Sequence, residues 1–224
     1  SYDNALLINS DNIPLFEGKD RKAVFPDNIV DLTLRFRDAE DDHEKVQQES
    51  IFLIDQWCAD YEDKIRSLGG IGFFLGGIGP DGHIAFNVRG SDHNSTTRLT
   101  TTNFETQAAA ATDLGGIEIS RNRLVITIGL GTITYNPEAT GIIIAAGEAK
   151  ANIIKKSLEN EPDVKYPATA LSRLKNSCFY ITKGASKALK DSEEDYWSNG
   201  IWDSQKLQRS ILAVSYTHLR AHET

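Results

Sequence analysis

Methionine is absent from all 224 residues, position 1 included. A translated reading frame starts with one, so the chain is expected to be a fragment whose beginning is missing. Cysteine is scarce: Cys58 lies in a helical pattern and Cys178 in an apolar strand pattern. Two are too few for a disulfide framework and wrongly spaced for zinc, so both are expected to be buried and inert. No apolar run approaches the roughly 20 residues of a membrane-spanning helix, and no basic-then-apolar leader opens the chain. A cytoplasmic protein with no membrane partner is expected. Basic charge is in deficit, 24 Lys+Arg against 32 Asp+Glu for a net −8, which argues against a general nucleic-acid binder. Any phosphate it holds must meet a local site. What is present is ordinary globular composition, 40% hydrophobic and 25% charged, over a length that suits one domain or at most two small ones.

Strand and helix signals alternate along the chain. Ala5–Asn9 is strand-like, and a turn-rich segment follows to about Asn28. Ile54, Trp57, Cys58, Tyr61, Ile65 and Leu68 recur at the three-to-four spacing of an amphipathic helix, which Gly69 and Gly70 end. Apolar runs at 71–75, 123–128, 141–146 and 178–182 read as strands, the first of them buried on both faces as in a parallel sheet. Helical composition at 149–158 and 168–175 separates the later ones. The pattern predicts an α/β fold: a doubly wound, mostly parallel, Rossmann-like sheet with helices on both faces in three layers. One such domain is expected over residues 1–190, then a linker or C-terminal extension at 191–214. Residues 215–224 resemble a translated adapter rather than native sequence, and are expected to contribute nothing to the fold.

In such sheets ligands sit at the carboxyl ends of strands, which directs attention to residues 76–87, GGIGPDGHIAFN. Gly77, Gly79 and Gly82 match the spacing of a dinucleotide fingerprint. The loop nevertheless carries Pro80, Asp81 and His83 where a helix should open, and 87–97 lacks a helical apolar stripe. No organic cofactor is expected. An Asp two residues before a His, on a turn whose glycines allow close backbone approach, can hold an imidazole for general acid/base work. The same two residues can equally be a turn brace and an ordinary polar side chain.

Residues 75–87, LGGIGPDGHIAFN, resemble the signature of the glucosamine-6-phosphate deaminase/isomerase family, relatives of the 6-phosphogluconolactonases. The resemblance extends through YEDKIR at 61–66, STTR at 95–98, IGLGTI at 128–133 and AGEAK at 146–150, and covers about residues 55–185. The lactonases share the Asp-Gly-His but continue differently; IAFN at 84–87 favours the deaminase side. The resemblance implies conversion of glucosamine 6-phosphate to fructose 6-phosphate and ammonia, in amino-sugar metabolism, by acid/base catalysis without metal or organic cofactor. It implies that His83 helps open the sugar ring with Asp81 orienting it. Counting back suggests Asp11 as the carboxylate that moves a proton between C1 and C2, although an Asp after a strand is also a common turn residue. Lys150 takes the place of the family's phosphate-binding lysine, and Arg98, Gly76, Gly77 and Asn87 complete the implied substrate contacts. The partner is thus a small sugar phosphate, with a homo-oligomer admissible.

Departures from the family pattern are equally legible. A Glu commonly follows the Phe-Asn pair, where this chain has Val88, and Thr112 stands where the family commonly puts a phosphate-binding arginine. Arg89, Asp92 and His93 either replace the missing groups or form an ordinary polar loop. The family's glycine-rich phosphate loop has no counterpart here, so the chain as given is expected not to be a competent catalyst. Two rivals remain: a lactone hydrolase in which His83 activates water, and a non-catalytic sugar-phosphate sensor, which would not need the carboxylate absent at Val88.

Overall fold

The structure, a computed structural model, describes residues 6–9, 12–26, 30–102, 124–189, 197–198, 201–204 and 206–210. The contacts divide into two compact units, Ser1–Ala188 and Leu189–Thr224. In the second, residues 206–210 are helical and Asp203 accepts a hydrogen bond from the Lys206 amide at 2.7 Å. The tail at 215–224 lies outside the described residues.

In the first unit a short helix α1 (Arg21–Val24) precedes the long helix α2 (Asp42–Ser67). Helix α2 starts twelve residues before the apolar spacing at Ile54 would place it. Asp41 caps it by accepting from the Glu44 amide at 2.8 Å, and Asp42 and Glu44 in its first turn suit the positive end of the helix dipole. Gly69 and Gly70, at φ 90° and 84°, let the chain leave the helix. Ile51, Ile54 and Cys58 on its inner stripe pack with Val24, Phe25, Leu34 and Leu99 into the core of this half.

The sheet is the α/β one expected. Strands β1 (Phe73–Gly77), β4 (Thr140–Ala145) and β5 (Asn176–Ile181) pair in parallel, in that order. Gly77 lies opposite Ile144, and Ile144 opposite Tyr180, so the carboxyl ends of all three strands form one edge. The inner face carries Ile143 and Ala145, both buried, and leaves room beside Gly141 for Leu171 and Leu174. On the other face Phe73, Leu75, Ile144 and Tyr180 are each more than half exposed, so among the described residues helices cover one face, where three layers are expected. Cys178 lies in register with Ile142 in that same set and is exposed, which corrects the expectation that both cysteines are buried.

Three further expectations change. The apolar run at 123–128 is not in the parallel sheet: β3 (Leu124–Thr127) pairs antiparallel with β2 (Arg98–Thr101) in a separate ribbon. It is half-buried, with Ile126 against the α2 core, while β1, expected to be buried on both faces, exposes Phe73 and Leu75 on one. Residues 6–9 form no strand; the Leu6 carbonyl accepts from the Tyr61 hydroxyl at 2.9 Å instead of from a sheet partner. The segment expected as a helix at 168–175 is a tight 3₁₀ turn, Pro167–Arg173. Pro167 opens it, and the Thr169 hydroxyl bonds back to the carbonyl of Tyr166 at 2.7 Å, competing with regular helix pairing. Helices α3 (Leu130–Ile133), α4 (Ala151–Glu159) and α5 (Lys183–Ser186) follow β3, β4 and β5. Among the described residues no helix is long and apolar enough to cross a membrane.

Candidate active site

The parallel register determines where the polar residues meet. Strand β1 runs two residues further than its apolar run, so Gly76 and Gly77 are its last residues, and the loop starts at Ile78. The loop folds back on itself: the Gly79 amide donates to the His83 carbonyl at 3.0 Å and the Gly82 amide to the Gly79 carbonyl at 3.1 Å. Gly82 has φ 88°, a left-handed value that disfavours any side chain. At Gly79 a Cβ would overlap the His83 ring, so the imidazole lies directly against the backbone there.

His83 and Asp81 form the pair the spacing suggests. The imidazole Nδ1 is 2.6 Å from Asp81 Oδ1. Asp81 is 3% exposed, and its second oxygen is 3.4 Å from the Arg89 amide. The carboxylate holds the imidazole through Nδ1 and so fixes the orientation in which the ring can exchange a proton with a ligand. The loop after β4 reaches the same edge. Lys150, at the end of a 3₁₀ turn (Glu148–Lys150) introduced by Gly147 at φ 88°, donates its ammonium to the Ile78 carbonyl at 2.6 Å. Burial lowers the Lys150 pKa, and the Asp81 charge opposes that shift. The structure thus brings Asp81, His83 and Lys150 together at the carboxyl ends of β1 and β4.

Asn87 and Arg98 form a second group. Asn87 is fully buried; its amide donates to the carbonyls of Ile84 at 3.0 Å and Ile128 at 2.8 Å, and its oxygen accepts from Arg98 Nη1 at 2.8 Å. Arg98 also donates to Ser91 Oγ at 3.2 Å, and burial lowers its pKa while Asp92 opposes this. Every polar atom of Asn87 is spent on holding the turn that follows His83. Asp11 and Thr112 lie outside the described residues.

The 88–93 loop does not bring a side-chain carboxylate to His83 in place of the one absent at Val88. Asp92 caps the Asn94 amide at 2.7 Å, and His93 is buried against the segment of Asp163 and Arg173, the latter donating to the His93 carbonyl at 3.1 Å. Its Nε2 has no hydrogen-bond partner among the described residues. Burial and the Arg173 charge push the His93 pKa below its ordinary value, against a hydrogen bond that the imidazole donates to the Asp163 main chain and the charges of Asp92 and Asp163. A lowered folded-state value means that the unfolded chain binds the proton more readily. The stabilisation is therefore fully present above about pH 6.5 and lost as pH falls through the folded value. The melting temperature is expected to drop between about pH 7 and pH 5, and His93→Asn to flatten that slope. Parallel slopes in thermal melts of the two proteins would show that His93 does not titrate on unfolding.

The residue missed by reading the sequence is Glu62. It is 4% exposed and accepts from Thr132 Oγ1 at 2.7 Å, Thr97 Oγ1 at 3.0 Å and the Thr97 amide at 3.2 Å, while Arg66 Nε reaches its other oxygen at 3.0 Å. Burial alone would raise its pKa; the hydrogen bonds from Thr132, Thr97 and Arg66 outweigh it and hold the carboxyl below its ordinary value. The available signal was spacing, since Glu62 is four residues from Cys58 on a buried stripe whose other members, Ser50 apart, are apolar or aromatic.

No family model matches the chain. Individual proteins do. It is 37% identical over 142 residues to the glucosamine-6-phosphate deaminase of Borreliella burgdorferi (strain ZS7), covering 63% of this chain and 52% of the relative. It is 39% identical over 119 residues to the glucosamine-6-phosphate isomerase of Candida albicans, covering 53% and 48%. Its fold matches a solved monomeric glucosamine-6-phosphate deaminase with TM-score 0.56 at 30% identity, over 60% of this chain and 55% of that one. The chain is similar in sequence to glucosamine-6-phosphate deaminases and spans about half the length of the curated relatives it matches.

Proposed function

We propose that the chain carries the acid/base half of a cytoplasmic glucosamine-6-phosphate deaminase, which isomerises the aminosugar phosphate and releases ammonia. The observation that supports this best is the Asp81–His83 pair beside Lys150 at one sheet edge, in a chain whose relatives bear that name. In this reading His83 Nε2 takes and returns the proton of the ring hydroxyl as the sugar opens. Asp81 fixes the ring orientation and the proton on Nδ1. Lys150 leaves the Ile78 carbonyl to meet the substrate phosphate as a point charge, with Arg98 near the same turn. Asp11 supplies the carboxylate that carries a proton between C1 and C2.

The test is ammonia release from glucosamine 6-phosphate, measured for this chain and for a version extended upstream in its reading frame. Release by either supports the proposal. Hydrolysis of 6-phosphogluconolactone without ammonia release would replace it with the lactonase reading, and saturable binding of the sugar phosphate without turnover would replace it with a sensor.

A further inference from the structure

We infer that Glu62 is a positioning residue for this site, acting through two threonines on the turn that carries His83. The inference rests on the proposed reading of Asp81 and His83 as the reacting pair. Glu62 projects from α2 into a junction where three otherwise separate segments meet. Through Thr97 it holds the residue before Arg98, at the start of β2. Through Thr132 it holds α3, whose Thr132 hydroxyl in turn accepts from the Gly129 amide at 3.1 Å.

Both arms end on Asn87. The Gly129 arm sets the neighbouring Ile128 carbonyl, which accepts from the Asn87 amide, and the Thr97 arm sets Arg98, which donates to the Asn87 oxygen. Thr127 adds a third tie, its hydroxyl accepting from the Phe86 amide at 3.1 Å. Asn87 then clamps the Ile84 carbonyl, next to His83. Glu62, Thr97, Thr127, Thr132 and Asn87 are all buried, so an unmade bond along this path would leave a polar group without water to replace it. The segments also touch too closely to slide: a Cβ at Gly129 would overlap the Ser95 carbonyl, and one at Gly131 the Asn94 backbone. One oxygen, Oε2, accepts from both threonines and the Thr97 amide, while Oε1 accepts from Arg66 Nε, and the negative charge strengthens all four bonds. A neutral glutamine that keeps its oxygen on the threonines sets an amide group, which cannot accept, against Arg66 Nε, and it loses the charge that tightens the threonine bonds.

The test compares Glu62→Gln, Thr132→Val and Thr132→Ser with the parent, by circular dichroism, by the NMR resonances of the Asn87 side-chain amide, and by kcat and KM for ammonia release. The valine keeps the shape of threonine and loses the hydroxyl; the serine keeps the hydroxyl. Glu62→Gln is expected to shift the Asn87 amide and lower kcat about tenfold, with KM changed less, as for loss of orientation rather than of binding. Thr132→Val should move both readouts the same way, with Thr132→Ser closer to the parent. Unchanged Asn87 resonances and kcat in folded Glu62→Gln would overturn the inference, as would serine and valine doing equal damage. If Glu62→Gln fails to fold, the contrast between valine and serine decides alone. If neither this chain nor its upstream-extended version releases ammonia, the proposed activity fails separately, and the Asn87 shift alone then supports or overturns the positioning role.

Discussion

Replacing His83 with glutamine is expected to lower kcat for ammonia release by two or more orders of magnitude, the scale on which a lost general acid/base acts. Glutamine fills similar space and keeps a polar end near Asp81, so folding should survive. What disappears is a group able to take and return a proton. Two features of the structure make the effect specific to this residue. The imidazole is held on one side by Asp81 at 2.6 Å, and on the other it lies where only a glycine fits, at Gly79. A side chain held so closely has one productive orientation, and its loss cannot be made good by a neighbouring histidine: His93 is buried against Arg173 and Asp163. Steady-state assays of the folded variant decide it, and a kcat close to the parent value would remove His83 from the reaction.

The parts of this arrangement that were legible in the sequence are the local ones. Asp81 and His83 are two residues apart, and their pairing needs only the turn that Gly79 and Gly82 permit. The strands at 73–77, 140–145 and 176–181 overlap the apolar runs read at 71–75, 141–146 and 178–182, displaced by one or two residues. The apolar run at 124–127 has the same composition, yet it lies in an antiparallel ribbon, because strand partnership depends on which segments are already neighbours and not on the run itself. The same holds for the site. Glu62 to Thr132, Asn87 to Ile128 and Lys150 to Ile78 join residues 41 or more positions apart. No periodicity encodes such pairs; a carboxylate on an apolar stripe marks that a partner must exist without saying which.

Replacing Lys150 with alanine is expected to weaken binding of glucosamine 6-phosphate by about 10- to 100-fold, the range that corresponds to losing one charged hydrogen bond. Affinity for unphosphorylated glucosamine should stay where it is. The distinction follows from what Lys150 touches. Its ammonium bonds to the Ile78 carbonyl, a neutral group, at 2.6 Å, and burial has already lowered its pKa, with Asp81 the charge that opposes this. A cation held partly out of water with a neutral acceptor as its hydrogen-bond partner gains more from an arriving dianion than a solvated one does, because less hydration remains to be removed. Lys150 also follows β4 while His83 follows β1, and the parallel register between Gly77 and Ile144 fixes the two loops side by side. A phosphate drawn to Lys150 therefore brings its sugar towards the imidazole. Calorimetric titration of parent and variant with both sugars separates this role from a structural one. Equal weakening for the phosphorylated and the plain sugar would mean that Lys150 holds the Ile78 turn in place, and equal affinity of parent and variant for the phosphorylated sugar would mean that it does not meet the phosphate at all.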